Sequence, residues 1–300
     1  MTRGPVGFVG LGVMGSAMSG HLLAAGFPVL GFDVDPGRQA DHEARGGTVC
    51  ASPAEVAGGA GVVVTSLPSA AVLLTVLDGE GGLHAGARPG LVVVETSTLS
   101  PEAKQDGYDR ARAWGATLLD CPMSGTGQQA RDGDLVAYLS GAPEAKERAL
   151  PVLRAFTRAQ HDLGAFGQGT VMKLVANLLV AVHNAAAAEA LLLAQRAGLD
   201  LGQVLAAVGD GAGSSRMLQV RGPLMVAGRY AQPTATVATM QKDNALIAAF
   251  AASVASPTPL FATTAVLYQA AVAQDRLGED TACVFGVLQQ LAGQSPEPPE

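Results

Sequence analysis

Short apolar runs alternate with stretches of helical periodicity from the start of the chain to about residue 167. The runs are rich in β-branched residues, and several are apolar at every position, as expected of strands that helices cover on both faces. Because strands that alternate with helices form βαβ units, this pattern predicts an α/β domain with a doubly wound, mostly parallel sheet. The predicted strands are Val6–Val9, Val29–Phe32, Val62–Ser66, Leu91–Glu95, Thr117–Asp120 and Ala137–Leu139.

The pattern changes after Gly167. Residues Val171–Ala197 contain neither Pro nor Gly and predict one long helix that ends at Gly198, a position where helices favour glycine. The helix is rich in Ala and Leu, so we expect most of its circumference to be covered by other helices or by a second subunit. No strand-like alternation returns, so an all-α domain is predicted, with further helices at Leu201–Val208, Met217–Ala227, Met240–Ser253, Pro259–Ala273 and Thr281–Ala292.

These patterns divide the chain into residues 1–167, residues 168–294 and a short tail, residues 295–300. The tail reads SPEPPE, and we expect it to be disordered because this sequence is unable to form regular structure. With 48% hydrophobic and 15% charged residues, the chain as a whole is able to bury sizeable cores.

Composition and charge exclude several classes of partner. The formal net charge of -7 argues against nucleic acid, whose binding requires clustered Lys and Arg. Polar residues interrupt the most apolar stretch, Leu174–Ala188, so we predict a buried helix and no membrane partner. The first residues lead directly into a strand, so no signal peptide is predicted. Three widely spaced cysteines without a C-x-x-C favour a reducing, cytoplasmic location: Cys50, Cys121 and Cys283.

A glycine-rich motif stands directly after the first predicted strand and opens a helix. Its glycines permit a tight turn and let a pyrophosphate approach the backbone N–H groups of the helix N-terminus. A G-x-G-x-x-G between strand and helix at the start of an α/β domain is typical of a Rossmann domain that binds a dinucleotide. The motif predicts cofactor contacts at Gly10, Leu11, Gly12, Val13, Met14 and Gly15.

Asp33 closes the next strand at the offset expected for the carboxylate that binds the adenosine ribose. A carboxylate there repels a 2′-phosphate, and the nearest cation is Arg38, so NAD is predicted in preference to NADP. The alternative for Asp33 is a turn or helix-cap residue, a role that Asp35 is equally able to fill.

Four ordered motifs make the chain resemble the β-hydroxyacid dehydrogenase family. They are Gly10–Gly15, Asp120–Gly125, Gly167–Lys173 and Gln241–Asp243. The resemblance implies reversible, NAD-dependent oxidation of a small 3-hydroxy acid, a carboxylate substrate, to the oxo acid or semialdehyde. Residues 31–35 and 182–190 look most like the L-threonate dehydrogenase branch, while 3-hydroxyisobutyrate, serine, and glycerate or tartronate semialdehyde remain open.

Lys173 matches the family's catalytic lysine, which the resemblance makes the general base on the substrate hydroxyl. Its position among apolar residues near a helix N-terminus opposes the macrodipole, which argues against a merely solvated lysine and favours the neutral amine that a base requires. Asn177 lies one helical turn on, on the same face, and is predicted to orient the substrate. The alternative is a buried asparagine that ties two helices together. Ala176 and Leu178 stand beside it, where the family often has a second Asn.

The resemblance also implies that Ser124, Gly125 and Thr126 bind the substrate carboxylate. Thr126 stands where the family commonly has glycine. Without the family, the segment reads as a turn after a strand. Lys242 matches a family lysine that closes over the nicotinamide and substrate, its alternative being an exposed helix lysine. Asp243 is predicted to be a structural partner of nearby backbone or cations.

Two loops at strand C-termini are further candidates for the nicotinamide half of the cofactor site. They are Leu67-Pro68 and the segment that contains Ser97 and Thr98. In the family, these loops contact the ribose and nicotinamide. Ser97 or Thr98 is equally suited to cap a helix ahead of Pro101.

The five histidines show no metal-ligand spacing, so no metal is predicted. One alternative is an imine reductase, an enzyme of the same architecture that usually has Asp or Tyr in place of Lys173. The other is a cofactor-binding module without catalysis, which would be expected to have lost that lysine or gained basic segments. The apolar long helix predicts a homodimer or homotetramer.

Overall fold

The computed structural model describes residues 3–294, and the predicted disordered tail, residues 295–300, lies outside the described residues. The chain consists of two compact units, Met1–Lys173 and Leu174–Glu300. Each unit has its own hydrophobic core.

The first unit is built on a six-stranded sheet in which every neighbouring pair of strands is parallel. The spatial order, β3-β2-β1-β4-β5-β6, is that of a doubly wound Rossmann sheet, as predicted. The strands are β1 (Val6–Val9), β2 (Val29–Phe32), β3 (Thr48–Val49), β4 (Val62–Thr65), β5 (Val92–Glu95) and β6 (Thr117–Asp120).

Helices cover both faces of this sheet. Successive residues of one strand enter different cores: Val92 and Val94 lie in one cluster, whereas Val93 lies in the other. This double burial explains why the strands are apolar at nearly every position. The helices of this unit are α1 (Val13–Ala24), α2 (Pro36–Ala44), α3 (Pro53–Gly59), α4 (Ala70–Asp78), α5 (Leu83–Gly86), α6 (Pro101–Ala113), α7 (Gly127–Arg131) and α8 (Pro143–Leu153).

A second, three-stranded sheet completes the first unit. It consists of β7 (Met123–Ser124), β8 (Leu135–Leu139) and β9 (Thr157–Asp162), with β7 antiparallel and β9 parallel to β8. The strand predicted at Ala137–Leu139 is present, but it belongs to this sheet. The other two strands escape the sequence patterns because β7 has only two residues and β9 is polar at most positions.

The second unit is helical throughout its described residues, as predicted, with one isolated bridge between Thr236 and Asp280. Its helices are α9 (Gln168–Arg196, which begins in the first unit), α10 (Leu201–Asp210), α11 (Arg216–Val226), α12 (Val237–Ser253), α13 (Pro259–Ala273) and α14 (Val284–Leu291), and a 3-10 turn, Thr281–Cys283, precedes α14. Among the described helices, α9 alone is long and apolar enough to cross a membrane, a test that core helices of globular proteins also pass.

A buried ion pair fixes the loops of this second unit. The Arg221 guanidinium contacts the Asp280 carboxylate, whose other oxygen accepts the backbone N–H of Thr234 at 2.8 Å. Asn184 of α9 donates to the Tyr268 hydroxyl at 2.9 Å and to the Thr281 carbonyl at 2.8 Å. These contacts hold α9, α11 and α13 around one core.

Candidate active site

The glycine-rich loop connects β1 to α1, and at two of its positions the backbone leaves no space for a Cβ. Gly10 has φ of 91°, and a Cβ there would lie 2.2 Å from the carbonyl oxygen of Ser66. A Cβ on Gly15 would lie 1.9 Å from the carbonyl oxygen of Gly10. Gly12 caps α1 without any side-chain hydrogen bond, so the first N–H groups of that helix are not capped by a side chain. This cradle fits the pyrophosphate of a dinucleotide.

Asp33 bridges the end of β2 and the glycine-rich loop. Its carboxylate accepts the backbone N–H of Leu11 at 2.6 Å and that of Asp35 at 2.9 Å. Arg38 Nη1 lies 3.5 Å from Asp33 Oδ2, and Arg38 Nε lies 3.4 Å from Asp35 Oδ2. The helix-cap role falls to Asp35, which accepts the N–H of Gly37 and begins α2. Asp33 is thus buried beside the cofactor loop and does not cap the helix.

The two predicted nicotinamide loops are tied to each other. Ser97 Oγ accepts the backbone N–H of Leu67 at 2.8 Å, and Ser97 N–H donates to Glu95 Oε1 at 3.0 Å. Ser97 is buried, Thr98 is half-buried and Pro68 is exposed. The helix-cap alternative for Ser97 and Thr98 is wrong, because Ser100 caps α6 by accepting the N–H of Ala103.

Asp120, at the end of β6, holds the start of the helix that carries Lys173. Its two carboxylate oxygens accept the backbone N–H and the hydroxyl of Thr170, each at 2.7 Å. Ser140 Oγ donates to the Asp120 carbonyl at 3.1 Å and accepts the N–H of Gly169 at 3.0 Å. Lys173 follows Thr170 by three residues and is 8% exposed. The sheet edge therefore fixes the turn of helix from which the candidate base projects.

The Ser124–Thr126 segment is not a simple turn. Met123 and Ser124 form β7, paired with β8, and Gly125 follows with φ of 143°. Thr126 caps α7: its hydroxyl accepts the N–H of Gln129 at 3.3 Å, and the Gln129 side chain accepts the N–H of Thr126 at 3.0 Å. The Thr126 hydroxyl is thus engaged by a capping box, whereas the substrate contacts of Ser124 and Gly125 stay predictions.

In the second unit, Asn177 ties α9 to α12. Its amide donates to Asp243 Oδ2 at 2.7 Å, and both side chains are buried. Lys242 Nζ lies 3.3 Å from Asp243 Oδ1, with its side chain 41% exposed. Asn177 therefore links two helices, as its alternative role predicts. It also lies one turn after Lys173 on α9, so its role in orienting the substrate stays a prediction. Asp243 is the structural partner that was expected.

The sequence patterns missed a cluster of three buried charges at the same sheet edge. Lys104 of α6 contacts Glu95, and its Nζ lies 3.0 Å from Asp120 Oδ1; all three side chains are fully buried. Burial acts to lower the pKa of Lys104, but the adjacent carboxylates outweigh it and raise that pKa above its usual value. The sequence does carry one sign of this cluster: two buried strands each end in a carboxylate, Glu95 and Asp120. Two buried carboxylates side by side require a nearby cation.

Two protein families match this chain. Residues 5–167 match the NAD-binding domain of 6-phosphogluconate dehydrogenase. Residues 167–288 match the family described as NAD-binding of NADP-dependent 3-hydroxyisobutyrate dehydrogenase.

Individual relatives match over almost the whole chain. The chain is 34% identical to an L-threonate dehydrogenase from Cupriavidus necator over 94% of its own length and 95% of the relative's. A crystal structure of 3-hydroxyisobutyrate dehydrogenase from Salmonella typhimurium has a TM-score of 0.86 at 32% identity, covering 95% of this chain and 100% of that one. The Mycobacterium tuberculosis 3-hydroxyisobutyrate dehydrogenase structure with L-serine has a TM-score of 0.86 at 29% identity, covering 96% and 99%.

Gly15→Ala is expected to weaken binding of a nicotinamide dinucleotide by about tenfold or more, roughly 1.4 kcal/mol. The reason is that the new Cβ meets the Gly10 carbonyl and pushes the loop away from α1. The dissociation constant of the reduced dinucleotide is measured by the fluorescence of its nicotinamide, and the thermal unfolding of each variant is measured in parallel. Gly20→Ala on the same helix is the control, because its Cβ has Arg45 Nη1 as its nearest neighbour, at 3.9 Å. If folded Gly15→Ala binds the dinucleotide with unchanged affinity, the prediction that this loop holds the pyrophosphate is wrong.

Proposed function

Because this chain belongs to the β-hydroxyacid dehydrogenase family, we propose that it oxidises the alcohol of a small 3-hydroxy acid with NAD as the electron acceptor. The observation that carries the proposal is a buried lysine, Lys173, on a helix turn that Asp120 anchors at the carboxyl edge of a dinucleotide-binding sheet. Ligands of open α/β sheets collect at this edge. L-threonate is the first substrate to try, since the chain is 34% identical to an L-threonate dehydrogenase.

The chain's own residues supply acid–base chemistry and orientation. The neutral amine of Lys173 takes the proton of the substrate hydroxyl as the alcohol carbon is oxidised, and the resulting ammonium returns a proton in the reverse direction. Ser124 and the backbone N–H of Gly125 hold the substrate carboxylate. Asn177, one turn beyond Lys173 on α9, orients the substrate, and its amide is itself fixed by Asp243. Lys242, paired with Asp243, would close over the nicotinamide and the substrate.

The cofactor has a matching cradle. The glycine-rich loop from Gly10 to Gly15 would hold the pyrophosphate, Asp33 the adenosine ribose, and the loops at Leu67 and Ser97 the nicotinamide half. A bound nicotinamide supplies the hydride acceptor at its C4 position. For the compartment we propose the cytoplasm, a proposal supported by three buried cysteines with free thiols.

Lys173→Met is expected to lower kcat by about 10² to 10⁴-fold, the usual contribution of a positioned general base, with the KM of the acid changed much less. Initial rates of NAD reduction are measured on a panel of L-threonate, 3-hydroxyisobutyrate, L-serine and glycerate. Glu189→Gln, an exposed substitution on the same helix, is the control and should keep the wild-type rate.

Two outcomes would count against this proposal. Wild-type protein that binds NAD but oxidises none of these acids would remove the substrate class. A folded Lys173→Met variant that keeps the wild-type kcat would remove the lysine as the base.

The preference for NAD is supported by the surroundings of Asp33. A 2′-phosphate at this position meets a buried carboxylate, and Arg38, the nearest cation, is already paired with Asp33 and Asp35. Like-charge repulsion therefore disfavours NADP.

Asp33→Asn is expected to raise the NADP-to-NAD ratio of kcat/KM by about tenfold, equivalent to roughly 1.4 kcal/mol. The amide oxygen still accepts the Leu11 N–H of the glycine-rich loop, the bond from the Asp35 N–H is lost, and Arg38 is released from Asp33 toward the phosphate. Asp35→Asn is the matched control: it removes one charge beside the same arginine, and Asn remains a good helix cap. Equal shifts in both variants, or no shift in Asp33→Asn, would contradict a specific role of Asp33.

We also propose that the chain is a homo-oligomer whose subunits pair through α9. More than half of the most apolar part of this helix is accessible within the chain. Four of its accessible apolar residues are spaced three or four positions apart and form one stripe: Val175, Leu179, Val182 and Ala186. Such spacing suits packing of a helix against the same helix of a second copy.

Leu179→Glu is expected to weaken the dimer by about 2 kcal/mol or more, roughly thirtyfold in dissociation constant, because it places a charge in an apolar seam. Sedimentation velocity at micromolar concentration measures the change. Leu277→Glu, an exposed leucine outside the stripe, is the control and should leave assembly unchanged. Wild-type protein that sediments only as monomer would overturn the proposal.

A further inference from the structure

One buried cation stands where three structural elements of the first unit meet. Lys104 projects from the first turn of α6 to the carboxyl edge of the sheet. Its ammonium contacts the Glu95 carboxylate, lies 3.0 Å from Asp120 Oδ1 and donates to the Glu95 carbonyl at 3.3 Å. The parallel register of β5 and β6 pairs Glu95 with Asp120, so the two carboxylates are neighbours by construction.

The Glu95 side of this cluster leads to the predicted nicotinamide loops. Glu95 Oε1 accepts the Ser97 N–H, and Ser97 Oγ accepts the Leu67 N–H from the loop after β4. Two loops at adjacent strand ends therefore take their positions from one carboxylate. We therefore expect a displacement of the Glu95 carboxylate to displace the loop at Ser97 and, through it, the loop at Leu67.

The Asp120 side leads to the candidate base. The Asp120 carboxylate accepts both the N–H and the hydroxyl of Thr170, in the first turn of α9. Gly169 packs so closely that a Cβ there would lie 2.4 Å from the Tyr138 carbonyl oxygen and 2.8 Å from that of Asp120. This helix start is unable to move without moving Asp120.

Charge explains why the cluster needs a cation. Two adjacent carboxylates in a buried site repel, and without a counter-charge one of them becomes protonated and loses acceptor strength. With the Lys104 ammonium between them, their mutual repulsion is offset, and each carboxylate accepts a backbone hydrogen bond, Glu95 from Ser97 and Asp120 from Thr170. The raised pKa of Lys104 agrees with this arrangement.

We infer that Lys104 is a positioning residue of the proposed dehydrogenase: its ammonium joins Glu95 to Asp120 and so sets the nicotinamide loops and the Lys173 turn in one fixed geometry. The inference rests on the proposed function, because it assigns Lys104 a role in that reaction. Lys104 itself is not placed against substrate or cofactor. It acts through the groups that do.

The test compares Lys104→Met with the double variant Lys104→Met/Glu95→Gln. In the single variant, kcat is expected to fall by about tenfold to a hundredfold, as for a small misplacement of reacting groups, while the KM of the acid stays nearly unchanged. The double variant removes the uncompensated carboxylate, and its glutamine still accepts the Ser97 N–H. We expect it to regain thermal stability but not kcat, because the link to Asp120 is still missing.

A purely structural role of Lys104 predicts a different pattern, in which activity follows stability. Recovery of both stability and wild-type kcat in the double variant would overturn the inference, as would wild-type kcat in a folded single variant. If the single variant does not fold, the double variant decides alone. Lys146→Met is the matched control: this lysine of the same unit is also buried and paired with one carboxylate, Asp162, yet contacts no site residue. It should leave kcat unchanged.

Hydrogen exchange separates this inference from the proposed function. In Lys104→Met, the amides of Leu67, Ser97 and Thr170 are expected to exchange together about tenfold faster, since a loss of 1.4 kcal/mol corresponds to that factor. This result does not require turnover, so it is readable even if no hydroxy acid is oxidised. Unchanged exchange at these three amides in the variant would overturn the link, whatever the substrate.

Discussion

The register of the parallel sheet imposes the constraint on which the candidate site depends. It places Glu95 beside Asp120 at the buried carboxyl edge, where two like charges are tolerated only with a cation between them. Lys104 supplies that cation from the helix that follows β5. Glu95 holds Ser97, whose hydroxyl in turn accepts the Leu67 N–H, and Asp120 holds the turn before Lys173. The position of the candidate base therefore depends on both the sheet geometry and the charges at its edge.

The cofactor loop is held by a different means, the backbone itself. Backbone carbonyl groups lie so close to Gly10 and Gly15 that a Cβ at either position would clash with them. Asp33 then fixes the loop by accepting the Leu11 N–H. A carboxylate that accepts this N–H stands where the ribose is expected. One residue therefore shapes the glycine-rich loop and sets the charge that an adenosine 2′-phosphate would meet.

Sequence reasoning reached the features that depend on local pattern. The β-branched strands, the glycine-rich turn and the long helix have periods or spacings visible in the chain itself. Lys104 was missed because α6 is otherwise polar, so its lysine resembles a solvated one; only the pairing of two strands far apart in sequence reveals its partners. Likewise, the link from Asn177 to Asp243 spans two helices, and no local pattern distinguishes it from a substrate contact.

The helix that carries Lys173 is secured by two unlike kinds of contact along its length. Its first turn is fixed by directional hydrogen bonds to Asp120 and Ser140, which tolerate little displacement. From Leu174 onward its buried face packs in the apolar core of the second unit, which resists change in volume but is less directional. Lys173 is the last residue of the first unit and follows Thr170 by three residues. For Lys173 as the proposed general base, the hydrogen-bonded first turn supplies the fixed position that such a base requires.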